Sequence, residues 1–231
     1  MKTLLYVKGS PRGPLSISGK IAQHYVDAYR EKHPDAKIDE IDLWQERLPE
    51  FDGDGAAAKV SFFGEPEMNA KQKTVYEELV AIFNRFNAAD DYLFSVPMWN
   101  FSVSYKLKQY IDLLSMPGTL FGWDPAVGYI GLLKDKRATA IYTAAIYAPG
   151  VPPAYGTDHT TTHFEDWLRF AGVTDITSIA YWASKAQPEP EARFEQACQE
   201  ARAAGLRAET RAAATPNAPS HPNPVAEAAL I

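Results

Sequence analysis

Cysteine is almost absent from this chain, and its scarcity excludes several kinds of protein. Only Cys198 occurs among the 231 residues. Because a disulfide and a Cys-x-x-Cys metal or redox site each require at least two cysteines, neither can form within the chain. The composition therefore excludes disulfide-stabilised secreted domains and is typical of a protein from a reducing cytoplasm.

The chain also lacks an excess of positive charge and long apolar runs. Lysine and arginine total 23 against 29 aspartate and glutamate residues, so the net charge is −6. This sign is wrong for a surface that grips phosphate backbones, and we expect no nucleic-acid partner. No segment approaches the ~20 apolar residues of a membrane span, and the run at residues 4–7 is too short for a signal-peptide core. We therefore expect a soluble cytoplasmic protein with no membrane partner.

The chain contains five short apolar runs that alternate with amphipathic segments. The runs predict strands near residues 3–7, 38–43, 92–96, 137–143 and 176–182. Helical spacing predicts helices from a cap at Ser16 or Ser18 to His33, and over residues 69–87, 104–116, 158–170 and 190–213. We interpret residues 50–68 as a surface excursion, 119–133 as a small hairpin or aromatic loop, and 1–213 as one domain followed by a flexible tail at 214–231.

This alternation predicts a doubly wound α/β fold of three layers. Strands separated by helices pair in parallel through right-handed crossovers, which place helices on both faces of the sheet. Ligands of such sheets lie beyond the carboxyl ends of the strands. Three loops leave strands at that edge, at residues 9–18, 97–104 and 143–156, and we expect the functional site among them.

The first of these loops has the chemistry of an anion site. Its sequence, GSPRGPLSIS, offers serine hydroxyls beside the free N–H groups of a helix start. It contains neither the GxxxxGK[ST] of a nucleotide triphosphate loop nor the GxGxxG of a dinucleotide fold. A phosphate group is one interpretation, and simple capping of the helix by serine is the other.

The second loop, Pro97-Met98-Trp99-Asn100-Phe101, places large apolar side chains and an amide at the end of a buried strand. Backbone N–H and C=O groups at such a turn can bind the edge of a heterocycle while the apolar side chains pack on its face. The alternative is that the aromatic side chains pack under the following loop. A flat ligand beside the anion site accounts for both loops.

The two loops together resemble those of the FMN-dependent NADH-azoreductases, a flavodoxin-like family of quinone and azo-compound reductases. Four features carry the resemblance: Ser10 with the Ser-Ile-Ser run at 16–18, PMWNF at 97–101, the helix SVSYKLKQYIDLL that follows it, and GTLFGW at 118–123. The likeness extends from residue 1 to about 207.

The resemblance implies a five-stranded parallel sheet with strand order 2-1-3-4-5, tightly bound FMN, NADH or NADPH as electron donor, a quinone or azo acceptor, and a homodimer. The residues that it assigns to FMN are Ser10, Ser16, Ile17 and Ser18 at the phosphate, Met98, Trp99, Asn100 and Phe101 along the isoalloxazine ring, and Thr143, Ala144, Ala145 and Ile146 after strand four. Asn100 is the candidate for stabilising charge on the reduced ring. Tyr147 is a candidate for orienting or protonating the acceptor, or an ordinary loop tyrosine.

One departure from the family concerns the loop after strand four. The family has a Ser/Thr-Arg-Gly-Gly run there, whereas this chain has Thr143-Ala144-Ala145-Ile146. Glycine permits positive φ and close backbone approach, and alanine or isoleucine resists both. We therefore expect a shifted loop, a weaker or rearranged flavin contact, or a differently shaped substrate pocket.

Other functions remain open at this stage. A flavodoxin-like electron carrier, a reductase specialised for one biosynthetic intermediate, and a scaffold whose flavin site has decayed all fit the fold. His159 and His163 stand four apart on a predicted helix, but Thr160 occupies the position where an HExxH motif has glutamate, and we expect no metal site.

Overall fold

A five-stranded parallel sheet is the centre of the computed structural model, which describes residues 1–63, 67–186 and 188–207. The strands are β1 (Thr3–Lys8), β2 (Lys37–Asp42), β3 (Asp91–Pro97), β6 (Arg137–Thr143) and β7 (Asp175–Tyr181), while β4 (Phe121–Asp124) and β5 (Gly128–Gly131) form a separate antiparallel hairpin. All neighbours in the large sheet are parallel. The predicted alternation of strands and helices and the hairpin at 119–133 are therefore confirmed.

The order of strands across the sheet is β2-β1-β3-β6-β7. The predicted numbering 2-1-3-4-5 is replaced by 2-1-3-6-7, because the hairpin inserts two strands into the chain between β3 and β6. The change of direction falls between β1 and β3. Ligands of doubly wound sheets bind beyond the carboxyl ends of the strands at such a point.

Helices cover both faces of the sheet. Their bounds are α1 (Ile17–Lys32), α2 (Gly53–Val60), α3 (Ala70–Asn87), α4 (Tyr105–Leu114), α5 (Thr161–Ala171) and α6 (Pro190–Arg207). One apolar core joins the sheet to α1 and α6, and a larger one joins it to α3, α4 and α5. These are the three layers that the sequence predicts.

Side-chain caps set where several helices begin. Ser16 accepts a hydrogen bond from Gly19 N–H at the start of α1, and Ser104 accepts one from Leu107 N–H at the start of α4. Asn69 and Gln72 form a reciprocal capping box at the start of α3. Each cap satisfies N–H groups that have no partner inside the helix, so these polar residues define boundaries that apolar spacing alone leaves open.

Two boundaries differ from the sequence-based ones. The surface excursion predicted at 50–68 contains α2, which begins where the Asp52 carboxylate accepts hydrogen bonds from Asp54 and Gly55 N–H. Helix α5 begins at Thr161 rather than at Asp158, because the Asp158 side chain accepts from the N–H groups of residues 160 and 161. Residues 208–213 of the last predicted helix and the predicted tail at 214–231 lie outside the described residues.

A closed ionic cluster lies at the amino-terminal edge of the sheet. The Asp91 carboxylate is almost fully buried and accepts hydrogen bonds from Arg137 Nε at 2.8 Å and from the Tyr29 hydroxyl at 2.7 Å. Lys2 Nζ lies 3.3 Å from the same carboxylate. The cluster connects α1 to β3, to β6 and to the residue that precedes β1. Within the described ranges, no helix has both the length and the apolar character needed to cross a membrane.

Candidate functional site

The loop after β1 passes very close to β3. Gly9 N–H donates to Ser95 O at 3.1 Å, and a Cβ atom on residue 9 would lie 2.6 Å from that oxygen. Any side chain would therefore push the loop away from the sheet. The Gly9 carbonyl in turn accepts from Ser104 Oγ at 2.8 Å and from Trp44 Nε1 at 3.2 Å. These contacts fix the loop where it leaves the carboxyl end of the sheet.

The start of α1 presents unused donors beside this loop. Ser16 Oγ accepts from Gly19 N–H at 3.0 Å and lies 3.2 Å from Ser18 Oγ. The N–H groups of Ile17 and Ser18 donate to no group in the described part of the chain. Ser10, Ser16 and Ser18 are all buried. Two free amides, three hydroxyls and the positive end of a helix macrodipole are groups that can bind an anion.

The loop after β3 is a tight turn held from two sides. Trp99 and Ser102 exchange backbone hydrogen bonds at 2.8 and 3.1 Å, and both residues between them have positive φ, 49° at Asn100 and 69° at Phe101. This is the geometry of a type I′ turn, which asparagine tolerates and phenylalanine adopts at a cost. Met98 N–H is bonded to Thr143 O at 2.8 Å, so its amide is not available to a ligand.

The long loop at residues 145–160 stabilises this strained turn. His159 N–H donates to Phe101 O at 2.9 Å. The Phe101 ring also lies against the backbone of Gly156, where a Cβ atom would come within 2.3 Å of a ring carbon. Trp99 and Phe101 remain about half exposed, at 44% and 49%. The long loop therefore holds the turn in a conformation that keeps both aromatic side chains at the surface, beside the ends of the strands.

The loop after β6 adopts a backbone conformation that does not require glycine. Residues 144–146 all have negative φ. Among the described non-glycine residues, positive φ occurs at Asn100, Phe101, Asp135 and Ala183. Ser184 and Lys185 N–H donate to the carbonyls of Ala144 and Ala145 at 3.0 and 2.9 Å. The N–H groups of Ala145 and Ile146 donate to no acceptor in the described chain, and both residues are exposed.

These three loops enclose a cavity of about 360 Å³. All the residues that the sequence assigned to a cofactor line it, except Phe101 and Ile146. Arg12, Pro97 and Ser184 also line it and were missed. Arg12 and Pro97 belong to predicted loops, but Ser184 follows β7 and reaches the cavity only because β7 lies beside β6. Nothing in the local sequence around Ser184 signals that position.

Tyr147 does not line this cavity. Its ring packs edge-on against Trp182 at a centroid distance of 5.7 Å, and its carbonyl accepts from Ala183 N–H at 2.8 Å. Burial and the negative charge of Asp158 raise the pKa of the Tyr147 hydroxyl. The structure thus favours the interpretation of an ordinary loop tyrosine.

A second, larger cavity of about 1440 Å³ lies on the other side of Trp99 and Asn100. Tyr105 and Phe51 supply aromatic walls, and His159 and His163 face it. Nε2 of His163 is buried without a hydrogen-bond partner in the described chain, and burial with the charge of Lys108 lowers the pKa of this imidazole. His159 precedes α5, so the two imidazoles do not share a helix face. The described residues contain no cluster of three or more metal-ligating side chains.

Comparisons with known proteins give a consistent result. Residues 2–204 match the model of a family with the flavodoxin-like fold. The chain is 40% identical over 197 residues to an FMN-dependent NADH:quinone oxidoreductase of Ruegeria pomeroyi, covering 85% of this chain and 97% of that protein. It is 38% identical over 182 residues to FMN-dependent NADH:quinone oxidoreductase 9 of Burkholderia lata, covering 78% and 86%.

A solved structure agrees at the level of the fold. The azoreductase from Bacillus anthracis superposes with a TM-score of 0.81 at 23% identity, covering 89% of this chain and 99% of that one. At this identity the likeness concerns the arrangement of the sheet and its helices. It leaves the assignment of individual site residues to the geometry of the loops.

Proposed function

This chain belongs to the flavodoxin-like family that includes the FMN-dependent NADH:quinone oxidoreductases, and we propose that it is itself an FMN-dependent NAD(P)H oxidoreductase that reduces quinones or aromatic azo compounds. The observation that carries this proposal is the continuous cavity between the free amides at the start of α1 and the Trp99–Asn100 turn. One end suits a phosphate and the other a flat ring.

The described residues fit the phosphate of FMN. The N–H groups of Ile17 and Ser18 have no other partner, and the hydroxyls of Ser10, Ser16 and Ser18 lie around them. Arg12 lines the same cavity and adds a positive charge. A doubly charged phosphate here would satisfy buried polar groups that are otherwise partly unpaired, which is the condition for tight binding.

The described residues also fit the ring. Met98, Trp99 and Asn100 line one side of the cavity, and Thr143, Ala144 and Ala145 line the other. Ala145 N–H has no acceptor among the described residues and is free to donate to the polar edge of a heterocycle, and the N–H of Ile146, the residue next to this lining, has none either. Because neither residue requires positive φ, the missing glycines do not prevent this contact.

FMN, when bound, supplies the hydride-transfer chemistry that links NADH or NADPH to a two-electron acceptor. The Asn100 side chain and the amides of residues 145 and 146 would hold the ring at the strand ends, and as fixed dipoles they would stabilise negative charge on it. The large cavity beyond Trp99 gives an aromatic acceptor access to the same turn. Tyr147, packed on Trp182, orients the loop rather than the acceptor.

We further propose that the active form is a cytoplasmic homodimer. The hairpin exposes Trp123 and Tyr129, at 53% and 65%, and these residues with the loop at 145–157 are suited to shape an acceptor pocket between subunits. The single cysteine supports the reducing compartment. Analytical ultracentrifugation of the flavin-loaded protein tests the assembly.

An anaerobic titration tests the proposed reaction. The purified protein is reconstituted with FMN, its visible spectrum is recorded, and NADH, or NADPH in a parallel cuvette, is added before a simple quinone. We expect bound flavin that the nicotinamide bleaches and the quinone restores. Bound flavin that neither nicotinamide bleaches would indicate an electron carrier instead, and failure to bind FMN would indicate a decayed site.

A further inference from the structure

The larger cavity, on the far side of Trp99 and Asn100, extends along the first turns of α4. Its volume is about 1440 Å³, against about 360 Å³ for the cavity between the three loops. It is lined by Trp44, which follows β2, and by His163, which follows β6. Since β1 and β3 lie between β2 and β6, and neighbouring strands are about 4.8 Å apart, the cavity spans roughly 14 Å. A ligand that fills it is longer than a single aromatic ring.

Exposed aromatic rings line much of this cavity. Phe51, Trp99 and Tyr105 are all exposed, and the Trp44 ring packs edge-on against Tyr105 at a centroid distance of 5.1 Å. Such rings bind flat apolar ligands by stacking. Trp99 and Asn100 also line the cavity between the three loops, so a flat ligand in the larger cavity lies next to the ring that we propose there.

The charged groups that line the larger cavity balance each other. Lys106 and Lys108 carry two positive charges, and Glu50 and Asp112 carry two negative charges. Lys108 Nζ lies 2.6 and 2.8 Å from the two carboxylate oxygens of Asp112, and Lys106 Nζ donates to Gln109 Oε1 at 3.1 Å. The walls therefore have no net charge that would attract an ionised ligand. An uncharged ligand loses less hydration when it enters.

His163 adds a polar atom without a partner to this cavity. Its Nε2 atom is buried and forms no hydrogen bond in the described chain, which is unfavourable for a polar atom. Burial and the charge of Lys108 lower the pKa of the imidazole, against the opposite effect of Asp112 and Asp166, and this favours the neutral ring at pH 7. A neutral imidazole nitrogen donates or accepts according to its tautomer, and a hydroxyl group can pair with either form. Because no described group holds Nε2, the ring can turn about its Cβ–Cγ bond toward such a partner.

We propose that the larger cavity binds an uncharged, elongated aromatic acceptor whose reducible end lies at the Trp99–Asn100 turn and whose far end carries a hydroxyl group bound by His163. His163 then determines specificity among acceptors. The proposal rests on the proposed function, since it takes this turn as the place where the flavin ring and the acceptor meet. A carboxylate in place of the hydroxyl should bind less well, because the walls supply no net counter-charge.

Three azobenzenes of similar length test which group His163 binds. They carry a 4-hydroxyl, a 4-methyl or a 4-carboxylate, so the hydroxyl is compared with an apolar group of similar size and with a charged one. The value of kcat/KM for each compound, with NADH as donor, is measured on the FMN-loaded wild type, His163→Leu and His163→Gln. Leucine removes the hydrogen-bonding group, and glutamine restores one. His24→Leu is the matched control, because it makes the same change at an exposed position on α1 outside the cavity.

We expect the wild type to prefer the hydroxyl over the methyl compound by about tenfold in kcat/KM. This preference should disappear in His163→Leu, survive in part in His163→Gln and stay unchanged in His24→Leu, while the methyl compound is reduced equally well by all four proteins. The proposal is overturned if the wild type shows no preference for the hydroxyl, if it prefers the carboxylate, or if His163→Leu keeps the preference of the wild type.

A binding titration distinguishes failure of this proposal from failure of the proposed function. Azobenzenes absorb where tryptophan emits, so an azobenzene in the larger cavity quenches Trp44 and Trp99, which line it. The titration requires neither NADH nor flavin. If FMN is not bound or is not reduced, the proposed function fails, but about tenfold weaker binding of the hydroxyl compound to His163→Leu than to the wild type still supports a cavity for hydroxylated aromatic ligands. Equal binding to the two proteins overturns it.

Discussion

The two edges of the central sheet use polar groups in opposite ways. At the amino-terminal edge, the buried Asp91 carboxylate is surrounded by Arg137, Lys2 and the Tyr29 hydroxyl, so its charge is compensated inside the protein. At the carboxyl-terminal edge, the amides at the start of α1 and in the loop after β6 have no partner in the described chain. Closed clusters hold a fold together, and open ones are available to a ligand.

The largest effect that this comparison predicts is on stability. Asp91→Ala leaves Arg137 and Lys2 without their buried counter-charge, and we expect the free energy of unfolding to fall by about 3–5 kcal/mol. Urea unfolding followed by circular dichroism measures it. The affinity of the folded fraction for FMN should not change, because no residue of the Asp91 cluster lines the cavity between the three loops.

Asp91→Asn is the control for that variant, since it keeps the shape and one acceptor oxygen and should cost less. If Asp91→Ala loses FMN affinity by a free energy similar to its loss of stability, the contrast between the two edges is wrong. It would mean that the two edges are energetically coupled.

The next largest effect is expected at the open edge. Ser16→Asp keeps an N-cap for α1, because aspartate accepts from the Gly19 amide as serine does, but it places a negative charge against the phosphate. We expect FMN affinity to fall by roughly 10–100-fold with the unfolding free energy nearly unchanged. Fluorescence titration gives the affinity, and Ser16→Thr serves as the neutral capping control. If the FMN affinity of Ser16→Asp is unchanged, the phosphate does not bind at this loop.

A smaller effect is expected in the loop after β6. The sequence suggested that its missing glycines weaken flavin binding, whereas the structure shows backbone at 144–146 that alanine and isoleucine adopt without positive φ. Replacing Ala145-Ile146 by Gly-Gly should then add only conformational freedom, and we expect FMN binding to weaken by a few-fold at most. Tighter binding would show that the side chains do obstruct the ring.

These cases show what the sequence can and cannot specify. Apolar periodicity and capping serines predict β1, α1 and the anion loop, because their causes lie within a few residues. Ser184 was missed because it reaches the cavity through the pairing of β7 with β6, a contact that no local pattern encodes. The positive φ of Phe101 was missed as well, since it depends on His159 and Gly156, more than fifty residues away along the chain.

The smallest effect is expected at Tyr147, and it sharpens the comparison between the two edges. This hydroxyl lies near the open edge, yet its ring is packed on Trp182 and its carbonyl is bonded to Ala183, so the residue belongs to the structural part of that edge. Tyr147→Phe preserves the ring contact and should change kcat/KM for a quinone by less than about twofold, with an unaltered pH profile between pH 6 and 9. Tyr147→Ala removes the ring and should lower stability while FMN reduction by NADH persists.

If instead Tyr147→Phe slows reoxidation of the flavin by quinone and leaves its reduction by NADH unchanged, the hydroxyl acts on the acceptor. Tyr147 must then turn from Trp182 toward the cavity when the acceptor binds.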